Sequence, residues 1–387
     1  MKPASAVIVG AGVMGASVAY HLTARGWRNV VVLDRGARPG QGSTGAATGG
    51  YRAQYATSIN VRLSLLAREK LRCFKEEVGT DPGYLPAGYL WLATTEAELD
   101  QLRAGLRVQW QEGLREATEV DVDDIARLNP ALEPHAAIGG TFCPTDGFIM
   151  PLRILEGYLA AAQRGGARIE WGTDVTGVRR DGAGRIVSVE TSRGPVAADV
   201  VINAAGPWAA QVAEYAGVAL PVTPLRRQAA ATAPCRLLPA DMPMTIFAGD
   251  GFHFRVREGR VLLLWPSPGI PGEPFSIELD PDWIGSVQRM ARERVTPLRN
   301  IDVDVGASWA GLYEMSPDKH AILGLAPGCD NLYLINGSSG HGVMHAPALG
   351  ALLAELISDG TFSSLDAADL RPSRFIEGVP NPVSGIL

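Results

Sequence analysis

Apolar residues fall along the chain in two rhythms, one continuous and one spaced. Val7-Ile8-Val9 is a continuous run, followed by a helix-like stretch from Ala16 to Leu22 and a second run, Val30-Val31-Val32-Leu33. Unbroken apolar runs of this length predict strands buried on both faces of a parallel sheet. Ile59, Leu63, Leu66, Ala67, Leu71, Phe74 and Val78 recur at three-four spacing and predict a helix with one buried face, capped by Thr57 or Ser58. The stretch 83–94 predicts paired strands around Pro86-Ala87-Gly88, 96–112 a helix, and 139–149 a strand and turn. Pro151 suits the first turn of a helix running to about residue 164. Four strand-like runs follow at 168–171, 174–180, 186–191 and 196–204, and their two-residue period and glycine turns predict a small antiparallel layer.

Val200-Val201-Ile202-Asn203-Ala204-Ala205-Gly206 breaks that rhythm: a continuous strand ends in small residues and a helix starts from Pro207. Residues 220–316 alternate again, with strands at 251–256, 260–265 and 303–312 and one helix near 281–294, which predicts a separate antiparallel sheet. Buried strands return at 321–324 and 332–336. Gly337-Ser338-Ser339-Gly340-His341-Gly342 follows, then a helix through Ile357 with Pro347 in its first turn. From about Asp359 the chain reads as loop, without repeats or low-complexity tracts.

The first strand runs into Gly10-x-Gly12-x-x-Gly15, with a helix behind it and Asp34 at the end of the second strand, 19 residues past Gly15. This is the βαβ fingerprint of a dinucleotide site. Gly10 permits the tight turn, Gly12 lets backbone approach a pyrophosphate, and Gly15 lets helix and strand pack. The helix N-terminus favours the negative charge, and the acid accepts from ribose hydroxyls. The loop 35–56 holds six glycines and the hydroxyls of Ser43, Thr44 and Thr48, donors suited to a long ligand. Similar strand-to-helix turns lie near Gly206 and Gly340. One turn suffices for NAD; three predict FAD, held between a nucleotide domain and a sheet domain.

Composition narrows the picture. A net charge of −6 and a pI of about 5.6 speak against nucleic acid. The four cysteines (Cys73, Cys143, Cys235, Cys329) are far apart, so neither a metal site nor disulfides are expected, and the cytoplasm is the expected compartment. The first strand begins too near Met1 for a cleavable signal peptide, and no apolar run reaches membrane-spanning length. Lysine is scarce: Lys2, Lys70, Lys75 and Lys319 are the only ones.

Together the motifs resemble the D-amino-acid-oxidase-type FAD-dependent oxidoreductase superfamily, and within it the sarcosine oxidase β-subunit and dye-linked L-proline dehydrogenase β-subunit branch. The resemblance is carried by the first glycine motif with Asp34, Gly42-Ser43-Thr44-Gly45, Gly49 to Tyr55, Asn203 to Trp208, Trp309 to Asp318, Ser339 to Pro347, and Leu370 to Phe375. These span the chain from end to end. The resemblance implies an α/β plus α+β fold: a Rossmann-type FAD-binding domain (1–80, 145–218, 319–370) interleaved with an antiparallel-sheet substrate domain (81–144, 219–318), then a tail (371–387). It implies non-covalent FAD and oxidation of an amino acid with a secondary amine: proline, hydroxyproline, sarcosine or opine type. Expected partners are that substrate, with a homo-oligomer or a second electron-transfer subunit. The expected cofactor contacts are Gly10, Gly12, Val13, Met14, Gly15, Asp34, Arg35, Gly42, Ser43, Thr44, Thr48, Gly50, Val175, Ala205, Gly206, Trp208, Gly311, Gly337, Ser339, Gly340, His341, Gly342, Val343 and Met344.

Three departures matter. Monomeric sarcosine oxidases carry a lysine where Met344 stands, and another on a strand over the flavin that promotes reaction with oxygen. No lysine lies between Lys75 and Lys319. Heterotetrameric relatives attach FMN to a histidine near the segment that reads Phe148 to Arg153 here, where no histidine occurs. The expectation is a dehydrogenase whose electrons pass to an acceptor other than oxygen; the alternatives are a peroxide-producing oxidase and a non-catalytic flavin-binding subunit.

Five residues are candidates for the chemistry. Arg52 follows the glycine-rich loop and can grip a carboxylate with two prongs, unless it is a structural arginine. Strand alternation sends His253 and Arg255 to one face and Phe252 and Phe254 to the other. His253 then either takes a proton from, or orients, the amine, or is a satisfied structural histidine. Tyr313, beside Glu314, contacts substrate or belongs to the core, where Trp309 is placed. His341 approaches the flavin or fixes its loop. Met344 borders substrate or packs in its helix.

Overall fold

The computed structural model describes residues 5–133, 135–266 and 273–383. A six-stranded sheet runs in the order Ile322–Leu325, Leu332–Asn336, Val200–Asn203, Ser5–Val9, Asn29–Asp34, Arg168–Trp171. Its pairs are parallel except the first, which is antiparallel. The continuous apolar runs are here, covered by helices on one face. The Val13–Ala24 helix is apolar nearly all round because it is wedged between the Pro151–Arg164 and Gly342–Asp359 helices. Its contact with the latter is so close that a Cβ on Gly350 would stand 2.1 Å from Ser17 Oγ.

A second sheet of eight strands has the order Val303–Met315, Thr223–Thr232, Arg260–Leu264, His253–Arg257, Met244–Phe247, Tyr89–Ala93, Gly139–Cys143, Thr118–Val120. It is not purely antiparallel, because Met244–Phe247 pairs in parallel with Tyr89–Ala93, a strand contributed from far upstream. Phe252 and Phe254 are buried in a core shared with Trp283 and Val287 of the Pro281–Arg294 helix. The opposite face of this sheet looks toward the glycine turns of the first.

Several local expectations need correction. The small antiparallel layer has three strands, Val175–Arg180, Ile186–Thr191 and Val196–Ala197. The first of the four runs, Arg168–Trp171, instead joins the parallel sheet beside Asn29–Asp34, which its short polar pattern does not announce. Only Tyr89–Ala93 of the stretch 83–94 is a named strand; Leu85 makes a single bridge to Phe148. The chain after Gly206 passes through one 3₁₀ turn, Gly206–Trp208, before the Ala209–Tyr215 helix. Thr57 precedes the Ser58–Arg72 helix but makes no side-chain cap; its hydroxyl meets His320 Nε2 at 3.2 Å.

The segment after Asp359 is more than loop. It forms two 3₁₀ turns, Ala368–Leu370 and Pro372–Phe375. Arg374, with a fully buried side chain, grips Asp318 through two bonds of 2.8 and 3.0 Å. This pairing ties the tail to the turn between the two sheets; residues 384–387 of the tail lie outside the described ones.

Candidate functional site

Between the sheets lies a cavity of ≈ 580 Å³. All three glycine turns reach it at the carboxyl ends of the parallel strands, where α/β folds bind nucleotides. Gly10 has φ +105°, and a Cβ there would stand 2.4 Å from the Ala204 carbonyl oxygen of the second turn. Gly15 lies outside the cavity. A Cβ on it would strike the Gly10 carbonyl at 1.9 Å, so it serves helix packing. Gly337 also lies outside, turned against Ser316 and Ile322. Every other expected cofactor contact lines the cavity.

At the nucleotide end, Asp34 accepts from the Ala11 and Gly36 amides, each at 2.7 Å. A carboxylate has about four lone-pair sites, so it keeps capacity for hydroxyls. Arg35 lies over the Trp208 ring, 3.7 Å from its centroid, and Trp208 stacks on Phe275 at 5.4 Å. Gly12 and Gly42 stand at N-termini of helices with no side-chain cap. Thr44 joins them by accepting the Val13 N–H at 3.1 Å. Cβ atoms on Gly42 and Gly206 would meet nothing within 4 Å, leaving bare backbone at the cavity wall. An elongated, phosphate-bearing ligand fits this lining. Bare backbone, helix N-termini and a ribose-ready acid stand in sequence along one trough, and FAD is such a ligand.

The far end of the cavity holds the candidate chemistry. Arg52 is buried beside Trp91 and Tyr55, its guanidinium 5.1 and 4.5 Å from their ring centroids, and its Nη2 is 3.2 Å from His341 Nε2. The backbone just after it is pinned by Asp146, which accepts the Ala53 N–H at 2.7 Å and the Gln54 N–H at 3.3 Å. Burial pushes the Asp146 carboxyl up to about 7 against the opposing pull of those amides and of Arg52 and Arg68. Asp146 sits in a Thr-Asp-Gly turn that reads as ordinary turn chemistry. Its partners lie more than 90 residues upstream, so nothing local in the sequence signals its role.

The eight-stranded sheet forms the roof. Trp91, Ile246, His253, Leu264, Ala229 and Trp309 are successive cross-strand partners, one row across six strands. His253 faces the cavity, while Phe252 and Phe254 face the core, as alternation predicts. Arg255, on the same side as His253, is absorbed structurally: it donates to the Thr48 and Gly49 carbonyls at 2.9 and 3.2 Å. His253 Nδ1 lies 2.7 Å from the Gly251 carbonyl, an acceptor only, so Nδ1 carries the hydrogen and Nε2 keeps its lone pair. Burial, then Arg52 and Arg227, lowers its pKa to about 4, so the ring is neutral at pH 7.

Tyr313 is 38 % exposed, facing the cavity, and its ring packs on Gly340, where a Cβ would stand 2.3 Å away. Burial raises its pKa, against Arg227 and Arg52. Glu314 beside it is buried; its Oε1 accepts the Ser338 N–H at 3.3 Å, and burial pushes the carboxyl up to about 7. His341 precedes the Gly342–Asp359 helix, whose N-terminus opens on the cavity and favours negative charge there. Burial and Arg52 hold His341 well below the usual imidazole range. Met344 accepts from the Tyr55 hydroxyl at 3.3 Å through its sulfur. Trp309 lines the cavity, contrary to its expected place in the core, and its indole donates to the Ala46 carbonyl at 2.8 Å. Arg227 was not singled out by the sequence; its position in step with Leu225 and Ala229 on an alternating strand is the signal that it shares their face.

A model of the FAD dependent oxidoreductase family, DAO, matches residues 5–356. The chain is 30% identical over 418 residues to FAD-dependent oxidoreductase domain-containing protein 1 of Xenopus laevis, covering 96% of this chain and 82% of that protein. It is 28% identical over 368 residues to glycine oxidase of Geobacillus kaustophilus, covering 90% and 92%. In structure it is similar to L-proline dehydrogenase from P. horikoshii, with a TM-score of 0.89, 26% identity, and 98% and 99% of the chains covered.

Proposed function

This chain belongs to the FAD-dependent oxidoreductase family, and from that premise we propose that it oxidises an amino acid bearing a secondary amine. The observation that carries this reading is the meeting of Arg52, a neutral His253 and Tyr313 in one cavity that continues into the dinucleotide trough. Relatives named L-proline dehydrogenase and glycine oxidase support amino-acid substrates. The division of the chain given above assigns the nucleotide trough to one domain and the roof to the other.

FAD, when bound, supplies the two-electron acceptor for the hydride released from the carbon next to nitrogen. The residues from Asp34 to Gly206 that line the trough would hold its dinucleotide part. Arg52 fixes the carboxylate by charge-assisted bonds. The His253 Nε2 lone pair accepts from the amine N–H and orients it. With a pKa of about 4 the ring is too weak a base to strip an alkylammonium, so the substrate enters as the free amine or loses its proton to solvent. Carbon loses hydride, nitrogen loses its proton to solvent water, and a C=N bond forms; water then hydrolyses the imine, or it remains cyclic.

The roof residues Ile246, Leu264 and Ala229 carry no amine, and Lys319 reaches the cavity from a turn rather than the sheet. This supports an acceptor other than oxygen. Turnover of the FAD-loaded protein is compared with a reducible dye and with air alone. Dye-dependent turnover at least tenfold faster supports a dehydrogenase; equal rates with stoichiometric peroxide overturn that part of the reading.

A further inference from the structure

Resting on the reading of this site as an amine-oxidation centre, we propose that Arg227 binds a second carboxylate, so that the substrate is an N-(carboxyalkyl) amino acid, a secondary amine with a carboxylate on each arm. On the roof, His253 occupies the fourth of eight strands. Arg52 approaches from one side, its guanidinium over Trp91, two strands away through Ile246. Arg227 approaches from the other side, on Thr223–Thr232, two strands away through Leu264. Strand spacing is about 4.8 Å, so Arg227 is anchored roughly 10 Å from the His253 strand on one side, and the Trp91 strand that the Arg52 guanidinium lies over is roughly 10 Å away on the other. Both line the cavity, and the Arg227 guanidinium stands 5.9 Å from the ring centroid of Tyr313 on the neighbouring strand. Both act electrostatically on the same two groups, His253 and Tyr313.

Charge and composition agree. Arg52, Arg227 and Lys319 line the cavity; of its acids, Asp34 is held by the Ala11 and Gly36 amides and Asp174 adjoins Val175, which leaves Glu314 as the acid beside Tyr313. A simple amino acid brings one carboxylate, which one guanidinium satisfies in two-pronged geometry. A secondary amine with a carboxylate on each arm brings two, with nitrogen between them. That spacing sets the amine at His253 when the acids lie at the two arginines.

The test uses the FAD-loaded protein and two inert analogues in which sulfur replaces N–H, so neither reacts as an amine: thiodiacetate, with two carboxylates, and (methylthio)acetate, with one. Binding is followed by the shift of the flavin absorption spectrum. The native protein is expected to bind thiodiacetate at least about tenfold more tightly, the worth of one charge-assisted contact. In Arg227→Leu that ratio is expected to fall below about threefold, and in Arg227→Lys to lie between. A native ratio near one, no spectral change with thiodiacetate, or an unchanged ratio in Arg227→Leu overturns the proposal. So does loss of FAD affinity in Arg227→Leu with the ratio kept, which makes the arginine a cofactor ligand. The two readings fail separately. If sarcosine or proline bleaches the flavin and iminodiacetate does not, the second carboxylate site falls and amine oxidation stands. If the thiodiacetate preference holds but no amine bleaches the flavin, the anion site stands and the oxidation reading falls.

Discussion

At the scale of single residues, the cavity separates groups that hold from groups that tune. On the proposed reading Arg52 holds the substrate: a charge-assisted contact with its carboxylate is worth about 1.5–3 kcal/mol. Arg52→Gln is therefore expected to lower the second-order rate of flavin reduction by about tenfold to a few hundredfold, at 1.4 kcal/mol per decade. Unchanged stopped-flow kinetics would remove it from the site. His253 tunes, because burial and two arginines keep it uncharged above pH 5. The pH profile of reduction between 6 and 9 is expected to follow the substrate ammonium. His253→Gln should slow reduction while leaving the apparent pKa in place; a shifted acid limb would instead make His253 the titrating base. Much at this scale was legible in the sequence, since glycines, Asp34, Arg52 and His253 sit in local motifs. Asp146 and Arg227 were not, because their importance comes from partners brought near by folding.

At the scale of elements, close approach decides what a position tolerates. Gly340, at φ +93°, lets the Tyr313 ring lie against backbone. Gly340→Ala is expected to cost about 1–3 kcal/mol and to displace Tyr313. A lower Tm together with weaker substrate binding checks this; a variant unchanged in both contradicts it. The tail is held by the buried Arg374–Asp318 pair, in which Arg374 overcomes the burial penalty and holds the Asp318 carboxyl at about 2. Asp318→Asn strands a buried guanidinium and is expected to cost about 3–5 kcal/mol, read as a fall in Tm. The sequence showed the strand–turn–helix units because each is written in contiguous apolar runs. It hid the placement of Arg168–Trp171 and the parallel pairing of Met244–Phe247 with Tyr89–Ala93. Those depend on which edge is vacant once the other strands have docked.

At the scale of the whole molecule, buried imidazoles set the response to acid. His21, His253 and His345 are lowered by burial to about 3, 4 and 3, and His320 and His341 are lowered as well. Their unfolded pKa is near 6.5, so the unfolded chain binds more protons below that pH and stability is lost as pH falls from about 6.5 toward 4. Asp146 and Glu314, both raised to about 7 by burial, act oppositely, since the folded state holds their protons longer. Five groups outweigh two, and Tm is expected to fall steadily from pH 6.5 to 5; a rise over that range would contradict the balance. No helix among the described residues is long and apolar enough to cross a membrane. The two-sheet architecture places the dinucleotide trough and the basic substrate end in one continuous cavity, and that continuity is the basis of the functional reading.

The measurement that tests it most directly is anaerobic titration of the FAD-loaded protein with proline, hydroxyprolines, sarcosine, iminodiacetate and opines, followed by flavin absorbance. Stoichiometric bleaching by at least one secondary amino acid, with an imine or its hydrolysis products recovered, is the expected result. A flavin that stays oxidised with all of them, while retaining full occupancy of the site, would contradict amine oxidation by this chain.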